Sequence, residues 1–204
     1  MGTLLDKLEE LDIEDNTLVI FTSDNGPWFE GSSGQFRDRK GSSWEGGLRV
    51  PFIARWPSQI PAGSFTSEPA MNIDLLPTLL DFAGIDLPTD RPIDGRSIKG
   101  VLTSQESSPH EVLYLFNRDR IAGVRMDRWK LVVESFYRGA VLSSFDHQDS
   151  YYAPFGLLFD LEKDPTETYS YTREYPEIAE QLREFLVRGQ QEYNSIVLPN
   201  MWNR

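Results

Sequence analysis

The 204-residue chain contains no cysteine. That excludes disulfides and thiolate-ligated metal, and it leaves the redox compartment unreadable from composition. Histidine is nearly absent too, with His110 and His147 the two examples. No stretch approaches the roughly 18 uninterrupted apolar residues that a transmembrane helix needs, so no membrane span is expected. The opening residues lack a basic start followed by an apolar core and do not read as a signal peptide. Met1-Gly2 does not read as a myristoylation site, because Asp6, followed by Lys7, stands where Ser or Thr belongs. Positive charge is in deficit, with 20 Lys and Arg against 32 Asp and Glu and a net charge of −12. This argues against nucleic acid as a partner, since phosphate binding needs clustered Lys and Arg. A local basic pocket and cation binding both stay open. Hydrophobic residues make up 39% of the chain and aromatics 12%, enough for a core and too much for global disorder.

The hydrophobic pattern has a readable order. Leu4, Leu5, Leu8 and Leu11 fall at helical spacing, in a helix that begins almost at Met1. Glu14, Asp15 and Asn16 form a turn, and 17–22 is a strand of β-branched and aromatic residues. Helix, turn and continuous apolar strand together predict an α/β sheet buried on both faces. Residues 26–47 have no period and read as a long, functional loop. A second apolar stretch at 48–56 is interrupted by Pro51, and 74–84 reads as a helix with Asp74 as N-cap and Gly84 closing it. A boundary falls near 105–110, dividing the chain into 1–108 and 109–204. Beyond it, strands are expected at 112–116, 121–126, 129–134 and 157–161, with a polar, aromatic insertion at 136–155. A helix at 176–193 puts Ile178, Leu182, Phe185 and Leu186 on one face. His110 reads as a structural residue at a strand start, facing water.

Two stretches carry chemistry. Strand 17–22 runs out into Ser23, Asp24, Asn25 and Gly26. At the carboxyl end of a strand in an open α/β sheet, side chains reach the crevice where ligands bind, and a carboxylate beside an amide oxygen suits a hard cation. The same residues equally suit a tight turn. The second stretch, 40–57 (KGSSWEGGLRVPFIARWP), offers the compact charge of Lys40, the hydroxyls of Ser42 and Ser43, and glycines that allow close backbone approach. Such a set could hold a tetrahedral oxyanion; a solvated surface loop is the alternative. His147, Tyr151 and Tyr152 in the insertion are candidate substrate contacts or simple loop residues.

Residues 23–26, the segment 40–57, Asp74 to Leu80 (DLLPTLL), Asp94-Gly95, Trp129-Lys130 and 158–165 (LFDLEKDP) together resemble, in order, the second half of a type I sulfatase. These are the formylglycine-dependent, arylsulfatase-like enzymes of the alkaline phosphatase superfamily. The resemblance covers nearly the whole chain and is most specific over 40–57. It implies a partial alkaline-phosphatase-like sheet with helices over 1–108, the C-terminal part of the catalytic domain. A small antiparallel sheet packed with one helix follows over 109–204. Asp24 and Asn25 match the family's metal-binding pair for calcium, and Lys40 matches the lysine that contacts sulfate. His147 falls where relatives can approach the substrate. The nucleophile is missing. There is no Cys, and Ser107-Ser108-Pro109-His110-Glu111 ends in Glu where the formylglycine motif requires Arg. The remaining metal aspartates, catalytic histidines and second lysine lie upstream in the family. The chain is thus expected to be a C-terminal fragment, inactive alone, binding calcium weakly and needing the missing N-terminal half. The expected substrate is a sulfated small molecule or glycan, and the expected compartment periplasmic, secreted or lysosomal. A phosphodiesterase or phosphonate hydrolase of the same superfamily, and a non-catalytic sulfated-glycan-binding remnant, are the competing readings. The first is disfavoured because two-metal phosphoryl-transfer sites usually include His and none lies near Asp24.

Overall fold

The structure, a computed structural model, describes residues 1–117, 120–135 and 156–196. The insertion 136–155, with His147, Tyr151 and Tyr152, lies outside the described residues. In chain order the elements are α1 (Gly2–Glu10), a 3-10 turn (Glu14–Asn16), β1 (Val19–Thr22), α2 (Glu45–Leu48), β2 (Phe52–Arg55), a second 3-10 turn (Asn72–Asp74), α3 (Leu75–Ala83), α4 (Lys99–Ser104), β3 (Leu113–Asn117), β4 (Arg120–Met126), β5 (Trp129–Val132), β6 (Leu157–Asp160) and α5 (Pro176–Ile196). The chain divides into two compact units, Met1–Asp24 with Val50–His110, and Asn25–Arg49 with Glu111–Arg204.

In the first unit β1 pairs with β2 in antiparallel register, Val19 opposite Arg55 and Thr22 opposite Phe52. The ribbon is tied to the turn before it: Arg55 ion-pairs with Glu14 at 2.6 Å, and the Trp56 indole donates to the Asp15 carbonyl at 2.8 Å. Cover on both faces, expected from the apolar run, is not present within this unit. Phe21 is 46% exposed and Ile53 62%, because among the described residues β2 is the one strand that pairs with β1.

Helix α3 closes at Gly84, whose φ of 66° is the left-handed conformation that glycine adopts without Cβ penalty. Asp74 stands at its N-cap position, but its side chain serves elsewhere. Its carboxylate makes no side-chain cap to α3. It turns back to accept from the Met71 amide at 2.7 Å, from the Arg96 amide at 2.9 Å and pairs with His110 Nε2 at 2.8 Å. His110 therefore does not face water. Its side chain is 6% exposed against a fully buried carboxylate, because a buried Asp left without donors would be costly.

The second unit is built on a four-stranded antiparallel meander, β3-β4-β5-β6. Helix α5 lays Ala179 and Leu182 against Ile121, Val124, Trp129, Leu131 and Leu158. Each large side chain fully buried here stabilises by roughly 1.5–3 kcal/mol. A second cluster joins Trp44 to Val132, Phe159 and Leu161, with the Trp44 and Phe159 rings edge-on at 5.4 Å. Trp44 is the anchor that binds segment 25–49 into this unit. After β6 the chain is held by two aspartates. Asp160 accepts from the Glu162 and Lys163 amides, and Asp164 accepts from the Thr168 and Tyr169 amides and the Thr166 hydroxyl. These contacts give the aspartates of the 158–165 stretch their structural reason.

Candidate functional site

Asp24 ends the first unit's leading segment, just past β1. The Asn72 side-chain amide donates to the carbonyls of Ser23 and Asp24 at 3.0 and 3.2 Å, and the Ser23 hydroxyl lies 3.4 Å from the Asp24 carboxylate. The strand exit is therefore fixed by its backbone, with the Asp24 side chain exposed. Asn25 follows directly and opens the second unit's first segment, where Gly26 donates its amide to the Gly47 carbonyl at 3.0 Å. A Cβ on Gly26 would run into the Gly46 and Gly47 backbone, which is why a glycine follows the Asp-Asn pair.

Lys40 stands on a loop that is braced from within. Its amide donates to the Pro27 carbonyl at 3.0 Å, and the Gly46 amide donates to Arg37 at 2.9 Å. The Arg39 guanidinium donates to the carbonyls of Trp28 and Gly31 at 2.9 and 2.6 Å, and the Ser42 hydroxyl to that of Arg39 at 2.8 Å. Ser42 and Ser43 are buried and serve the loop's own framework. Lys40 is exposed, and among the described residues no acidic group pairs with its ammonium. Arg37 lies 3.8 Å over the Trp44 ring and donates to the Glu167 carbonyl at 2.9 Å.

Beneath that loop lies a buried ion network that the sequence reading missed. Lys130, wholly buried, contacts Glu45 at 2.8 Å and Glu167 at 2.7 Å. Glu167 also accepts from the Glu45 amide at 2.6 Å, and Arg49 holds the other Glu45 oxygen at 2.6 Å. Glu167 keeps a left-handed φ of 54°. Burial pushes the Glu45 carboxyl up, but the Lys130 charge and the hydrogen bonds from Arg49 and Lys130 outweigh it and hold it at about 2. Burial dominates at Glu167, whose carboxyl is raised despite Lys130. The residues are the Glu in EGGLR, the Lys after Trp129 and the Glu of Asp-Pro-Thr-Glu at 164–167; separations of 85 and 122 residues hid their meeting.

This network sets an acid response. The Glu45 carboxyl lies below its ordinary 4.5 in the folded chain, so its stabilisation is complete above pH 4.5 and is lost as pH falls toward 2. Glu167, shifted the other way, gains stability as pH falls through its raised range toward 4.5 and adds nothing further below it. The thermal midpoint of the second unit is expected to fall across this window, and less steeply in Glu45→Gln. Equal slopes in a pH series followed by circular dichroism would contradict the assignment.

For a hard cation, Asp24 and Asn25 offer oxygen donors of the right kind. Their number falls short of the six to eight that calcium takes, and among the described residues no cluster of three or more His, Cys, Asp or Glu side chains gathers to hold a metal. They fit as part of a coordination shell.

Solved structures place this fold among the sulfatases. The PsFucS1 sulfatase from Pseudoalteromonas sp. superimposes with a TM-score of 0.82 at 27% identity, over 98% of this chain and 41% of that one. BT4656, solved with its substrate D-glucosamine-2-N,6-O-disulfate, matches with a TM-score of 0.67 at 27% identity, over 98% of this chain and 39% of the other. The sulfatase family profile matches residues 1–85, and that of the C-terminal region of aryl-sulfatase matches 108–200. Arylsulfatase of Hemicentrotus pulcherrimus is 35% identical over 81% of this chain and 34% of its own length. Steryl-sulfatase of Mus musculus is 35% identical over 85% and 32%. The chain belongs to the sulfatase family, and it spans about a third of the length of these curated relatives.

Proposed function

We propose that the chain is the C-terminal part of a sulfatase that hydrolyses sulfate esters of small molecules or glycans with calcium and a formylglycine nucleophile. What carries the reading is Lys40, an exposed ammonium on an internally braced loop, following the Asp24-Asn25 exit of β1 in the family's order. Asp24 and Asn25 would hold calcium, which when bound supplies positive charge against the sulfate group. Lys40 would donate to a sulfate oxygen and steady charge building toward the leaving oxygen. No residue here suits formylglycine. The nearest motif, at 107–111, carries Glu111 in place of Arg.

It follows that the purified chain should not turn over a chromogenic aryl sulfate, with or without calcium. Calorimetry with calcium chloride should give weak, non-saturating heats. Reproducible turnover by formylglycine-free protein, or tight stoichiometric calcium uptake, would overturn the partial-site reading. Among the described residues no helix is long and apolar enough to cross a membrane.

A further inference from the structure

Arg125 on β4 stands directly opposite Lys130 on β5, a like-charge cross-strand pair of the kind that destabilises a sheet. One carboxylate mediates between them. Glu45 gives one oxygen to Lys130 at 2.8 Å, and the other to Arg49 at 2.6 Å, with Arg125 4.0 Å from that same oxygen. The second carboxylate of the cluster, Glu167, is wholly buried against Lys130. Asp127 offers Arg125 its backbone carbonyl, 3.0 Å from Nε, with its carboxylate acting at longer range. Three cations, Lys130, Arg49 and Arg125, thus share two buried carboxylates, and Glu167 reaches Lys130 alone among them. Arg125 is the least compensated: its side chain is 19% exposed, and among the described residues its terminal nitrogens have no hydrogen-bond acceptor. Burial pushes its guanidinium down, Glu45 resists, and Arg49 pushes it down further. Arg49 is 43% exposed and is steadied by the Phe36 ring 4.7 Å away, with its terminal nitrogens not engaged by Glu45.

We propose that Arg49 and Arg125 form an oxyanion site, separate from Lys40, that takes a sulfate or carboxylate group between their two guanidinium forks. Planar guanidinium groups suit such bidentate recognition. An anion here would supply the charge by which the two carboxylates fall short of the three cations.

The test is a titration of the 204-residue chain with sodium sulfate, observed by NMR on arginine Nε signals, against sodium chloride at matched ionic strength. Sulfate should shift the Arg49 and Arg125 signals saturably while chloride does not. Arg125→Met should weaken the sulfate response about tenfold or more, as loss of a charge-assisted hydrogen bond would, and Lys40→Met should leave it unchanged. Arg49→Gln, at the more exposed position, makes the same test should Arg125→Met fail to fold. A repeat with a sulfated monosaccharide distinguishes the source: tighter binding assigns the site to a sugar-borne group, and equal binding to the free anion. Identical shifts in chloride, or a response abolished by Lys40→Met and untouched by Arg49→Gln, overturn the proposal. The second of those results would leave the reading of Lys40 intact.

Discussion

Lys130→Met is expected to destabilise the second unit by about 3–5 kcal/mol, the usual cost of removing one partner from a buried ion pair. The substitution keeps the apolar stem and deletes the one ammonium that meets both Glu45 and Glu167. Arg49 still compensates Glu45 from its outer oxygen, so the heavier penalty falls on Glu167, which then has only the Glu45 amide. Urea unfolding, followed through amide exchange in β3 to β6, measures the loss. Adding Glu167→Gln should recover a part of it, because the stranded charge goes. A loss below about 1 kcal/mol would mean that the pair is screened as a surface bridge is, and the burial of Lys130 would then need another account.

Lys40→Ala is expected to cut kcat by about 10²–10³ in the chain translated in frame with the sequence upstream of Met1, the scale on which removal of a transition-state donor acts. If the ammonium meets sulfate mainly as charge builds on the leaving oxygen, KM should move much less than kcat. The same substitution should leave the stability of the 204-residue chain within about 0.5 kcal/mol, as for other surface positions without partners. A rise in KM with kcat unchanged would demote Lys40 to substrate binding. A stop codon immediately upstream would leave the family membership standing and favour a non-catalytic glycan-binding remnant over a working sulfatase.

Local pattern was enough for most elements. The short apolar runs at 112–116, 121–126 and 157–161 mark β3, β4 and β6 within a residue at either end. The 3.6-residue spacing of Ile178, Leu182 and Phe185 marks α5. Strand β5 is shorter than the apolar run at 129–134, because the Val133 and Glu134 amides both turn to the Ala122 carbonyl. Helix α1 was legible from its leucines, yet none of its residues is buried. Periodicity reports a face and not what covers it. The site divides in the same way. Asp24, Asn25 and Lys40 stand out because polar groups interrupt apolar or glycine-rich sequence. Glu45, Lys130 and Glu167 read as ordinary charged residues until the fold brings Glu45 to partners 85 and 122 residues away. His110 is structural as its position suggests, but its burial was hidden for the same reason, since Asp74 is 36 residues away.

The left-handed backbone of Glu167 bears on how this chain can change by mutation. Glycine is the residue that such a φ favours, and in most loops a glutamate there would be replaced readily. Here the backbone preference and the side chain pull apart: a glycine at 167 would relax the turn and abandon Lys130 and the Glu45 amide together. Asparagine, which tolerates the same φ, has too short a side chain to reach both. Single substitutions at this position therefore all lead downhill, and a viable replacement would have to arrive jointly with one at Lys130.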